Sequence, residues 1–243
     1  MKIFIILTAL FVSNLGNAQK YSFPKEVNFY GDLQADNFEG SNFGLHDSFF
    51  PIGWSSDGKF AYIKETANEA GMYFIGLYIQ NVITDKIIAK KVYPIEEDGA
   101  DDIQSLGIWE KHYSTFERLL SKHNISSKHS PQLIKKKTFE IADIKYAVKL
   151  ESKRDKLDGM NYFGAITHAK IYLTSKKLGT KRVYSYKEIE LPNMLDINIV
   201  GYFKSPWENR IIIVSEEVGR GYEGPPHVHG FILTGAHLLD GFK

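Results

Sequence analysis

The chain has 243 residues, no cysteine, and 30 Lys and Arg against 29 Asp and Glu. The missing cysteines exclude a disulfide scaffold, a thiol nucleophile and a thiolate metal site. The charge balance argues against nucleic acid or an anionic membrane as the main partner, and the length suits one domain with a sizeable core or two small lobes.

The chain opens on a short basic start, Met1-Lys2, followed by an apolar run over 3–12 broken only by Thr8. Gly16-Asn17-Ala18 then supplies the small residues of a cleavage site, so 1–18 reads as a secretory signal peptide and 19–243 as the mature chain. The expected location is periplasmic or secreted, and no later stretch is long and apolar enough for a membrane span. Residues 27–30 suit a short edge strand before a loop.

A hairpin is expected over 49–54 and 59–66, turned on Asp57-Gly58, because Gly accepts positive φ without a Cβ clash. Strands over 73–79 and 87–93 follow, with turns at 68–71 and 84–86, and complete a four-stranded meander. Beyond the acidic stretch 94–99, Ile103, Leu106, Trp109, Tyr113, Phe116 and Leu120 recur at helical spacing. This predicts one amphipathic helix over about 101–123, with Gly107 weakening its first turn so that it starts near Ile108. Residues 126–137 read as a polar linker carrying the one sharp basic run, Lys135-Lys136-Lys137. Strands resume over 144–150, 162–174 and 182–189. A second hairpin over 199–214 echoes the first, and a last strand covers 228–234.

The resulting expectation is a mainly β protein of antiparallel, blade-like sheets. It is read as a single β-rich domain over 19–243, with two pseudo-repeated sheets, about 19–98 and 138–243, joined by the helix as the alternative arrangement. The segment from Gly53 to Tyr62 resembles the Trp-Ser-Pro-Asp-Gly-Lys hairpin of TolB-type and WD40-like propeller repeats, with Ser56 where that repeat carries Pro. The stretch Arg220-Gly221-Tyr222-Glu223-Gly224-Pro225, with Thr234-Gly235 behind it, resembles the C-terminal part of a bacterial family of predicted secreted proteins of unknown function. That resemblance implies a signal peptide and a β-rich domain. It implies no activity.

Three groups of residues are candidates for chemistry. His227 and His229 alternate on a strand, so their imidazoles point the same way and suit a divalent metal, with Glu216, Glu217, Glu223 or His168 as a further ligand. The bland alternative is two strand histidines on a solvated face. Arg220, Tyr222 and Glu223 offer polar contacts from a glycine-rich loop, which reads as a ligand or partner loop or else as a shaped connection. His46-Asp47 with Ser55 or Ser56 has the residue types of a triad but no Gly-x-Ser-x-Gly elbow to organise them. The preferred reading is an exported, non-enzymatic binding module for a protein or small-molecule ligand, with no cofactor unless a metal sits on the histidines. The rivals are a metal-assisted hydrolase using His227 and His229, and a structural envelope component that shows an exposed aromatic patch.

Overall fold

The computed structural model describes residues 20–28, 45–67, 73–95, 104–154, 164–190, 192–221 and 227–243. The expected meander is present as β2 (Ser48–Trp54), β3 (Lys59–Ala67), β4 (Tyr73–Asn81) and β5 (Lys86–Ile95), paired antiparallel in that order. Its first turn is closed by the backbone pair of Ser55 and Lys59. Ser55 Oγ accepts from the Lys59 N–H at 2.9 Å, and Gly58 takes the positive φ of 78°.

The helical stripe packs on one face of this sheet. Trp109, Phe116 and Leu120 are buried against Phe50, Ile52, Ile63, Ile75, Leu77 and Ile79. Two helices carry the stripe rather than one, α1 (Gln104–Lys111) and α2 (Tyr113–Lys122). The break falls at His112, with φ −111° and ψ 16°, where the imidazole stacks on Tyr93 at 3.7 Å. Gly107 lies inside α1 and does not delay it. Residues 20–28 run beneath α1 and α2: the Tyr21 hydroxyl donates to Ile125 O at 2.6 Å, and Phe23 packs on Phe50 and Trp109. Within 27–28 there is no strand, although the Val27 N–H donates to Phe49 O at 2.9 Å.

The region after the helices forms two sheets. One contains β6 (Thr138–Ile141), β7 (Ile144–Arg154), β8 (Ile166–Ser175) and β9 (Gly179–Lys187). The other contains β10 (Met194–Lys204), β11 (Arg210–Gly219) and β12 (Val228–His237). It is completed by β1 (Leu45–His46), which pairs parallel to β12.

This last sheet is the middle layer. One face sets Phe203, Ile212, Val214 and Leu233 against Phe49, Trp54, Phe60 and Tyr62 of the meander. The other sets Ile199, Tyr202, Ile211, Ile213 and Ala236 against Tyr146, Val148, Ile171 and Leu173. A strand covered on both faces must be apolar on both, which is why β11 begins as the unbroken run Ile211-Ile212-Ile213-Val214. The 126–137 stretch is stitched to the core rather than loose. Ser126 bridges Trp54 on β2, and Ile134 bridges Tyr202 on β10.

Candidate functional site at one end of the central sheet

The connections between strands fall at the two ends of the layers, with the two longest within a sheet, 155–165 and 220–227, at the same end. Tight turns at 55–58, 82–85, 142–143, 176–178 and 205–209 lie at one end. The connections 68–72, 155–165, 188–193 and 220–227 leave from the other. Hydrogen bonds tie these second ends together. Asp47 N–H donates to His229 O at 3.1 Å, Arg220 N–H donates to Asn193 O at 2.9 Å, and the Arg154 guanidinium donates to Gly164 O at 3.2 Å and to Asp196 at 2.6 Å.

Ionisable side chains gather at this end, from the buried Glu216, His229 and Asp47 to the partly buried Lys64 and the exposed His46. Register places Val218 opposite His229 and Glu216 opposite Phe231, so Glu216 and His229 share one face of the sheet. Their closest approach is 3.7 Å, from Glu216 Oε1 to His229 Nδ1, and the two side chains are almost wholly buried. Among the described residues neither Glu216 oxygen has a hydrogen-bond partner. Strand β1 brings His46 beside them, its ring 4.5 Å from that of His229. The next residue, Asp47, is buried and pairs with Lys64 of β3 at 2.5 Å.

The surroundings tune several of these groups. Burial, with help from His229, pushes His46 below the ordinary histidine range, against the opposing pull of Glu216 and Asp47. Burial also lowers His227, and Arg220 and His229 add to that. Gly221 N–H donates to His227 Nδ1 at 3.4 Å, which requires that nitrogen to be unprotonated. Burial raises Glu217, and Asp47 adds to the shift while Lys64 opposes it. A raised carboxylate holds a proton in the folded state that the unfolded chain has released. The stability it contributes is complete below the ordinary carboxylate range and is lost as pH rises through the folded value. Glu217→Gln should therefore melt above the parent at pH 7, with the gap closing at about pH 4, as thermal melts across that range would register.

Among the described residues no three His, Asp or Glu side chains converge as a metal-ligand set. His168 stands on β8 opposite Lys153 and Lys187, in a different sheet from His227 and His229. Tyr222 and Glu223 lie outside the described residues, as does the acidic stretch 96–102. Arg220 is partly exposed and is anchored through its backbone to Asn193. Ser55 is committed to its turn at the far end from His46, so the triad combination is not assembled. Sequence reasoning gave His46 and Asp47 no partner, since only the parallel pairing of β1 with β12 brings them in. Glu216 had been an open alternative beside His229, and it is the carboxylate found there.

Comparison of the chain with protein-family models, curated proteins and solved structures finds no match in any of the three.

Proposed function

We propose that this chain is an exported binding module that takes its ligand at the long-connection end of the central sheet. The observation that carries the reading is Glu216. Among the described residues no donor lies within hydrogen-bond distance of this buried carboxylate, and its nearest partner is His229 Nδ1 at 3.7 Å, so its burial is poorly compensated and costly to keep. Core positions with such costs are retained for contacts made outside the chain more readily than for the fold. Export rests on the N-terminal sequence pattern. The blade-like layers supply the usual reason for binding through loops at one end of stacked sheets, though fold alone assigns no function.

A metal-assisted hydrolase at His227 and His229 needs a third donor, and none among the described residues converges on the pair. A structural envelope component would show an aromatic patch. Among the described residues the most exposed aromatics, Tyr73 and Trp207, sit at the start of β4 and in the 205–209 turn, at opposite ends of the layers. Elemental analysis of untagged protein, beside His227→Ala/His229→Ala, separates the first two readings. The binding module predicts no stoichiometric metal in either. Stoichiometric metal that disappears in the double variant would replace it with the metallo-site.

A further inference from the structure

Among the described residues no other layer covers the outer face of the β6–β9 sheet, and its charged side chains are mostly cationic, with Glu140 and Glu151 the acidic exceptions. Register aligns three rows across β7, β8 and β9: Lys149 with Tyr172 and Arg182, Glu151 with Lys170 and Ser185, and Lys153 with His168 and Lys187. The exposed positions of β7 alternate with buried ones as far as Lys149, which fixes these rows on the solvent side. Lys145 continues the face and approaches Glu140 at 3.9 Å. Lys149, Lys153, Lys170, Arg182 and Lys187 form no ion pair with any described residue. In a chain whose formal charge is +1, this is segregation of charge and not an excess of it.

The acidic groups of the binding end lie elsewhere, on the central sheet and its flank. The molecule therefore has an electropositive broad side at right angles to its candidate ligand end. The broad side is also amphipathic at one limit. Beside the 142–143 turn a groove of about 630 Å³ is lined by Phe139, Tyr146 and Ala147, with Lys145, Lys149 and Lys176 and the single acid Glu140 around them.

We propose that this face docks the protein on an anionic lipid surface. Three features favour a lipid surface over a polyanionic chain. The cations are spread in two dimensions over three strands rather than along one track, so a plane engages them together. Tyr172 is the only aromatic in the three rows, which leaves little for bases to stack on. The groove joins apolar lining to a cationic rim, as the headgroup region of a bilayer requires. Each exposed lysine near such a surface adds to adsorption, and salt screens the attraction within about a Debye length.

The test is co-sedimentation of the full chain with phosphatidylcholine vesicles with and without phosphatidylglycerol, at about 50 mM and about 500 mM salt. Binding is expected only to the phosphatidylglycerol vesicles and only at the lower salt. Lys149→Glu/Lys170→Glu/Lys187→Glu should weaken it by at least about tenfold, while Lys86→Glu/Lys90→Glu/Lys91→Glu on β5 leaves it within about twofold. Circular dichroism melts confirm that each variant is folded. The proposal is overturned if the chain ignores anionic vesicles, if the two variants lose binding equally, or if the protein binds heparin or RNA while vesicles remain bare.

Discussion

Gly235→Ala is expected to cost about 3–5 kcal/mol, among the largest effects of any single methyl group in this chain. A Cβ at Gly235 would stand 1.8 Å from Val82 O and 2.7 Å from Val82 C. These are backbone atoms of the turn that joins β4 to β5, so no side-chain rotation relieves the clash. The same turn is held to β12 by Gly235 N–H donating to Asp85 Oδ1 at 2.7 Å and by Gln80 Nε2 donating to Leu233 O at 2.9 Å. Moving it away breaks those bonds and opens the layer that Phe49, Phe60 and Phe203 fill. Gly107→Ala is the matched control. It has nothing within 4 Å and lies within a helix, where it should gain up to about 1 kcal/mol. Urea unfolding of the two variants measures the difference. A Gly235→Ala midpoint near that of the parent would mean that the meander does not dock on the central sheet through this turn.

The legible parts of the fold were those whose information is local. The β2–β5 meander could be read strand by strand because apolar runs are separated by Asp57-Gly58, Asn68-Glu69-Ala70-Gly71 and Thr84-Asp85 turns. The helical stripe was equally plain, but its break at His112 depends on Tyr93, a residue of another strand. The division of 138–243 into two sheets was hidden, since the 188–193 connection is no different in kind from a turn within a sheet. Strand β6 is short and alternates Thr and Glu with its apolar residues, and β1 holds only Leu45 and His46. Neither is long enough to show a period.

At the candidate site, alternate spacing exposed His227 and His229, and chain proximity made Glu216 a plausible neighbour. The contribution of His46, Asp47 and Lys64 required the long-range pairing of β1 on β12, set beside the local β2–β3 hairpin. The basic face escaped notice for a related reason. Its cations are distributed singly along three strands, so neither net charge nor any charge run reveals them. Lys135-Lys136-Lys137, the run that sequence does reveal, lies beside the same sheet, with Lys137 O accepting from Val148 N–H at 2.8 Å.

The central claim is that Glu216 is kept for a ligand and at the expense of the fold, and its most direct test is the stability of Glu216→Met. Methionine has similar length and suits neighbours such as Val214, Val218 and Phe231. Replacing a poorly compensated buried charge by an apolar side chain of matching volume is neutral or stabilising, by about 1–4 kcal/mol. Breaking a well-formed buried pair has the opposite sign and costs about 3–5 kcal/mol. Equilibrium urea unfolding at pH 7 therefore separates the two cases by direction as well as size. The account predicts that Glu216→Met unfolds at higher urea than the parent. A fall in the midpoint corresponding to several kcal/mol would show that Glu216 and His229 are a structural pair, and the ligand end of the central sheet would lose its principal support.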